Sequence, residues 1–258
     1  MAEPVNNALS SFYYRDNYLR LCDTVEAQYA DILSHEERAM LQRFRSMEFT
    51  AQCLYVRMIS RTGPWFRESK LVYSELGPLA PILDALLAQD MALEAATLST
   101  QDLGKLFTRG ELRKIFPALE HRQLQEKAAL LCAIEQLQLG AAETMRALGD
   151  VDMQRIVMPR GVELAQLLQL LFFGNRRQSL TDFVLQDLGV TRYYPYALNR
   201  EHRLFPCRDA VAEYLACAAI SDSHHALRDA GTLDQLIALA AQVLAMTIRF
   251  PSSMRSWH

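Results

Sequence analysis

The sequence predicts a mostly α fold: a helix-turn-helix or winged-helix-like unit, then two short helices joined by a tight loop, then stacked helix pairs of the α-solenoid kind. Three observations carry this. Apolar residues recur at i, i+3, i+4 through nearly the whole chain, while the period-2 alternation of half-buried strands is almost absent. Gly and Pro number only 10 and 9 in 258 residues. Ser34-His35-Glu36-Glu37 and Thr108-Arg109-Gly110-Glu111 are capping boxes, in which a hydroxyl and a carboxylate three residues on satisfy each other's backbone N–H groups.

Each element follows in order. Ser11 to Leu33 carries Phe12, Tyr14, Tyr18, Leu21, Val25, Tyr29 and Ile32 close to helical spacing. The first capping box opens a second helix. Thr50 caps a third, which runs through Leu54, Val56 and Ile59 and stops at Gly63-Pro64. Residues 65–73 form the best extended segment, and a helix from Leu79 to Gln89 follows. The second capping box starts a helix that ends at Pro117, and a loop through His121 leads to a helix with Leu130, Leu131, Ile134 and Leu137. Gly140 to Gly161 reads as a linker. Beyond it, 164–173, 180–188, 208–220 and 233–246 read as paired helices, without a repeat of fixed period.

Composition bounds the function. Apolar residues make up 50% of the chain and charged residues 22%, so global disorder is excluded. The net charge of −3 excludes a wholly basic nucleic-acid coat, and any such surface is a local patch. No run approaches the ~18 consecutive apolar residues of a membrane span. Met1-Ala2-Glu3-Pro4 begins no secretory signal, so the expected location is the cytoplasm, at the nucleoid if the partner is DNA. Five cysteines, 22, 53, 132, 207 and 217, at wide spacings with no C-x-x-C, predict buried free thiols rather than a disulfide framework or a zinc site.

Three stretches together carry a resemblance. They are 54–67, Leu-Tyr-Val-Arg-Met-Ile-Ser-Arg-Thr-Gly-Pro-Trp-Phe-Arg; Glu111-Leu112 with Lys127-Ala128-Ala129-Leu130-Leu131; and Leu171-Phe172-Phe173-Gly174-Asn175 through Phe183-Val184-Leu185-Gln186-Asp187-Leu188-Gly189-Val190. In this order they resemble the N-terminal half of the bacterial Fanconi-associated nucleases of the VRR-NUC family. The resemblance implies an N-terminal winged-helix-like DNA-binding domain over 1–96, a SAP-like helix-loop-helix over 97–140 and a TPR-like region over 141–258. It places the VRR-NUC nuclease domain, with its Mg or Mn, beyond His258. The family cuts 5′ flaps and branched or cross-linked DNA, so DNA is the implied partner, with other repair proteins as further candidates, and this chain alone is expected to be inactive. A SAP unit usually has Gly before the Lys of its second helix; here Glu126 precedes Lys127.

Basic residues are the candidate binding groups. Residues 54–75 hold Arg57, Arg61, Arg67 and Lys70 against only Glu68 and Glu75, with Arg57 and Arg61 on one helical face. Residues 109–127 hold Arg109, Arg113, Lys114, Arg122 and Lys127 against Glu111, Glu120 and Glu126. Composition alone reads either cluster as a solvated face or as a phosphate-binding one; the resemblance favours phosphate, through Arg57, Arg61, Arg67, Lys70, Arg113, Lys114 and Lys127. The rival reading is a helical-repeat scaffold that binds only protein. Asn175-Arg176-Arg177-Gln178 reads as a polar turn, Arg192-Tyr193-Tyr194-Pro195-Tyr196 as a helix-junction seal, and His224-His225 as a solvated loop. Glu68-Ser69-Lys70 is literally the E-x-K of a metal nuclease, but residues 50–67 hold no carboxylate to join it. No nucleotide-binding or serine-hydrolase motif occurs.

Overall fold

Three aromatic rings explain how the first helices meet. In the computed structural model, which describes residues 11–119, 125–149, 155–178 and 203–230 together with 235, 237, 238 and 241, α1 (Tyr13–Tyr29), α2 (His35–Ser46) and α3 (Phe49–Ile59) each contribute one. Tyr18, Phe44 and Tyr55 are all buried, with ring centroids 5.0–6.5 Å apart. The capping box forms as the sequence predicts: the Glu37 N–H donates to Ser34 Oγ at 3.1 Å, and the Ser34 N–H donates to Glu37 Oε2 at 2.7 Å. Only Met47 and Glu48 separate α2 from α3. The Gln52 amide bridges that corner, its NH2 group within hydrogen-bond distance of the carbonyls of Phe44, Arg45 and Met47 at the end of α2. Thr50 is therefore not the cap; Glu48 holds that position, with no side-chain bond.

The chain divides into two compact units, one of residues 1–27 and 34–196, the other of 28–33 and 197–258. In the first, α3 leads to β1 (Phe66–Arg67), a 3-10 turn at Glu68–Lys70, α4 (Leu79–Ala88) and β2 (Ala92–Glu94). The extended segment expected over 65–73 is thus only two residues of strand, because the Leu71 N–H turns back onto the Glu68 carbonyl. Among the described residues four α-helices intervene before the next strand: α5 (Thr100–Leu106), α6 (Arg109–Ile115), α7 (Lys127–Gln136) and α8 (Ala141–Gly149). Then β3 (Ile156–Pro159) enters the middle of the sheet, antiparallel to both neighbours, with Phe66 opposite Val157 and Leu93 opposite Met158.

The segment read as a linker is therefore a helix and the central strand. Ile156, Val157 and Pro159 are all buried, so the strand is apolar on both faces and lacks the alternation that marks a strand in sequence. The sheet joins 66–67, 92–94 and 156–159 across the bounds expected at 96/97 and 140/141. A second apolar core, with Leu103, Phe107, Leu112, Phe116, Leu130 and Ile134, takes in Ile156 of β3 and has Trp65 packed against it.

After β3, Gly161 (φ +75) caps α9 (Val162–Phe173). The Tyr55 hydroxyl donates to the Arg160 carbonyl at 2.8 Å. A Cβ at position 161 would lie 2.2 Å from Met40 Sδ and 3.1 Å from that hydroxyl, so only glycine fits the crossing of α2, α3 and the α9 start.

In the second unit, Arg203 forks onto both oxygens of Asp31 at 2.6 and 2.7 Å and also donates to the Gln28 carbonyl. Helix α10 (Arg208–Ala230) carries His224 and His225, which the sequence reading had in a loop. The expected helix over 180–188, most of that over 233–246, Arg122 and the Arg192–Tyr196 run lie outside the described residues. Cys22 and Cys53 are buried, but Cys132, Cys207 and Cys217 are exposed, against expectation. An apolar helical context does not fix which face a thiol takes: on α7, Leu130, Ala133 and Ile134 fill the inward face and turn Cys132 out. Among the described residues no helix is long and apolar enough to cross a membrane.

Candidate nucleic-acid interface

Helix α3 is a poor groove reader by construction. Ala51 to Val56 and Met58 are buried, so its body is core, while Phe49 at its start is exposed and Arg57 in its last turn is half-buried. The helix ends at Ile59, so Arg61 lies in the bend just past it and does not share a helical face with Arg57 as the spacing predicts. The Arg57 guanidinium lies 3.9 Å from the Tyr14 ring centroid and donates to Glu75 Oε1 at 2.7 Å. The Tyr14 hydroxyl also reaches that oxygen, at 3.5 Å. Partial burial acts to raise the Glu75 carboxyl; its own backbone N–H and the Arg57 guanidinium outweigh that and hold it below the usual carboxylate range.

Arg61 is exposed, donates to the Tyr73 hydroxyl at 3.2 Å and stands 5.5 Å from the Phe66 ring centroid. Tyr73 lies 5.4 Å from the Arg57 guanidinium as well, so the two arginines share this ring. Lys70 is exposed at the end of the 3-10 turn. Glu68 anchors the start of that turn, accepting from Arg155 at 3.1 and 3.3 Å. Both of its oxygens face a guanidinium, an arrangement that does not suit metal ligation. Among the described residues no group of three or more His, Cys, Asp or Glu is placed to hold a metal ion.

Arg67 turns inward, unlike its expected neighbours. It is buried, donates to Glu111 Oε1 at 2.8 Å and lies 4.4 Å from the Phe107 ring centroid. Its alternate-side register opposite Ile156 points it into the second core, so its charge serves that contact and is not offered to solvent. Glu111 is doubly used, because it is also the capping-box carboxylate of α6. The Thr108 backbone N–H first, and then Arg67, hold its pKa down to about 2. Arg67 thereby ties the turn that carries Lys70 to the helix that carries the second cluster. There Arg113 is half-buried, Lys114 is exposed in the last turn of α6, and Lys127 opens α7. Arg109 is bound to the Gln125 carbonyl.

Sequence reasoning missed Lys105, Glu75 and Arg155. Lys105 is exposed in the last turn of α5 and lines, with Thr62, Pro64, Trp65 and Leu106, a cleft of about 360 Å³. Its signal was present: Ser99-Thr100-Gln101-Asp102 is a capping box, which forms and sets the helix. Glu75 and Arg155 had none, because their partners Tyr14, Glu68 and Asp84 lie far away in sequence. Asn175 closes the expected turn, its Oδ1 accepting from the Arg177 and Gln178 N–H groups.

Residues 12–92 match the family described as "FAN1, HTH domain". The chain is 35% identical over 216 residues to the Fanconi-associated nuclease 1 homolog of Pseudomonas aeruginosa, covering 82% of this chain and 38% of that protein. It is 30% identical over 213 residues to the homolog of Oryza sativa, covering 76% of this chain and 22% of that one. Among solved structures it is similar to paFAN1 bound to 2nt 5′flap DNA with gap, with a TM-score of 0.75 and 31% identity over 90% of this chain and 42% of that chain. The complex with 1nt 5′flap DNA gives 0.73 and 30%. The chain thus spans about two-fifths of the bacterial relative's length.

Proposed function

Since the chain belongs to the N-terminal, helix-turn-helix part of Fanconi-associated nucleases, we propose that it grips branched or flapped DNA through its phosphates and presents it to a nuclease domain of the longer protein. It acts at the nucleoid in the cytoplasm, alongside other repair proteins. The observation that carries this is the contrast within one segment: the body of α3 is buried, while Arg61 and Lys70 are exposed on backbone fixed by the packing around them. A helix-turn-helix that reads sequence lays exposed side chains along the major groove. This one offers cations at a helix end and at a turn, which suits phosphates and DNA shape. Arg57, partly open, and Lys114, Lys127 and Arg113 extend the grip, while Arg67 joins the two clusters from inside.

The cutting chemistry that the relatives' name denotes belongs, in this reading, to residues other than these. Anisotropy titrations of the chain against labelled 5′-flap and plain duplex DNA across a salt series test the reading. Binding is expected to weaken with a log–log slope of about −3 to −5, for four or five phosphates neutralised. A flat slope, or no binding, favours a protein-binding scaffold.

A further inference from the structure

Glu75 occupies Arg57 much as a phosphate would. A guanidinium fork meets carboxylate and phosphate oxygens in the same geometry. Here the carboxylate sits 2.7 Å from Arg57 Nη2, while the Nε of the same guanidinium is buried and meets no acceptor. The pair is reachable from solvent, with side chains 33% and 19% exposed. Its other neighbours are Tyr14 and Tyr73, and Tyr73 in turn meets Arg61. One carboxylate therefore lies within the face that carries Arg57 and Arg61, on a guanidinium that is still a third exposed.

We infer that Glu75 is a specificity-determining residue, an internal competitor that neutralises Arg57 until a DNA phosphate displaces it. This rests on the DNA-binding reading. A plain duplex meeting the face must remove a preorganised carboxylate before Arg57 contributes. A branched DNA whose second arm is also held at Lys114 and Lys127 delivers its phosphate to Arg57 at higher effective concentration than a duplex held at Arg61 and Lys70 alone, so displacement is easier. Glu75 thus lowers affinity for plain duplex more than for branched DNA.

The test uses the full chain with labelled plain duplex and 5′-flap DNA. Glu75→Gln keeps the side chain's shape and removes the competing charge. It is expected to bind plain duplex about fivefold tighter, to narrow the flap-to-duplex ratio, and to steepen the salt slope by about 0.9, the share of one more phosphate. Glu75→Asp restores the carboxylate and is expected to restore discrimination. Arg57→Ala should abolish the effect: in that background Glu75→Gln is expected to gain no duplex affinity, because the charge it would release is gone. If Glu75→Gln binds duplex no tighter, or gains as much with Arg57 replaced by Ala as with Arg57 present, the inference is overturned while DNA binding stands. If the unmutated chain binds neither DNA, the DNA reading falls and takes this inference with it.

Discussion

Arg67 donates to Glu111 at 2.8 Å across 44 residues of sequence, and the same carboxylate accepts from the Thr108 backbone N–H at 2.7 Å. One side chain thus both caps a helix and neutralises a buried guanidinium. Glu111→Ala removes both functions and leaves Arg67, whose side chain is 8% exposed, without its counter-charge. Breaking a buried pair from one side costs about 3 kcal/mol, and loss of the cap adds about 1. The carboxylate side is 29% exposed, so screening trims the total to about 3 kcal/mol. Urea unfolding should show it as a lower midpoint with an unchanged slope; a shift below 1 kcal/mol would show that the pair is idle.

The pH dependence has a definite sign. The Glu111 pKa falls from an ordinary 4.5 in the unfolded chain to about 2 in the folded one, through the Thr108 N–H and Arg67. A group with a depressed folded pKa stabilises fully above its unfolded value and loses that contribution as pH falls toward the folded one. The difference in stability between the wild type and Glu111→Gln should therefore be largest at neutral pH and shrink between about 4.5 and 2. Other carboxylates titrate in the same window, and the subtraction removes them. A difference independent of pH would contradict the assignment.

The two tight glycines should part company. Gly161→Ala forces a Cβ onto a φ of +75 and into Tyr55 and Met40, with the Tyr55 hydroxyl already fixed on the Arg160 carbonyl. Left-handed strain of about 1–2 kcal/mol and overpacking of about 1–3 predict a loss of about 3 kcal/mol. At Gly104 the Cβ meets Leu131 Cδ1 at 2.7 Å, the far end of a side chain that can move, and Ala gains about 1 kcal/mol of helix propensity. That variant should stay within about 1 kcal/mol of wild type. Equal losses in thermal or urea unfolding would count against the crossing of α2, α3 and α9 described for Gly161.

What was legible in the sequence was local. Both noted capping boxes form, because Ser34 with Glu37 and Thr108 with Glu111 need only their own turn. The helix from Leu79 and the stop at Pro117 follow from the same short-range chemistry. The strand Ile156–Pro159 was not legible: both its partners lie far upstream, and its burial on two faces erases the alternating pattern. The basic clusters were visible as charge, but charge does not say which way a side chain faces. Arg67 and Lys70 stand three apart, and register opposite β3 buries one while the turn exposes the other. Glu75 is an ordinary carboxylate until Arg57 is seen against it.

The phosphate face itself gives the last prediction. Arg61 is held by the Tyr73 hydroxyl at 3.2 Å and flanked by Phe66, so its charge is preorganised. Lys70 ends a turn pinned at both sides, by the Leu71 N–H on the Glu68 carbonyl and by Arg155 on the Glu68 carboxylate. Both cations are exposed, and each stands ready to neutralise one phosphate. Replacing both by Ala should weaken flap-DNA binding by about tenfold or more and flatten the salt slope by about 1.8, the share of two phosphates. Stability should hardly change, because both side chains are exposed. The matched double change Arg249→Ala with Arg255→Ala, outside the described residues, should do little. Should the two double variants lose affinity alike, binding would be spread over the whole chain's charge, and the assignment of the face around α3 and its following turn would be wrong.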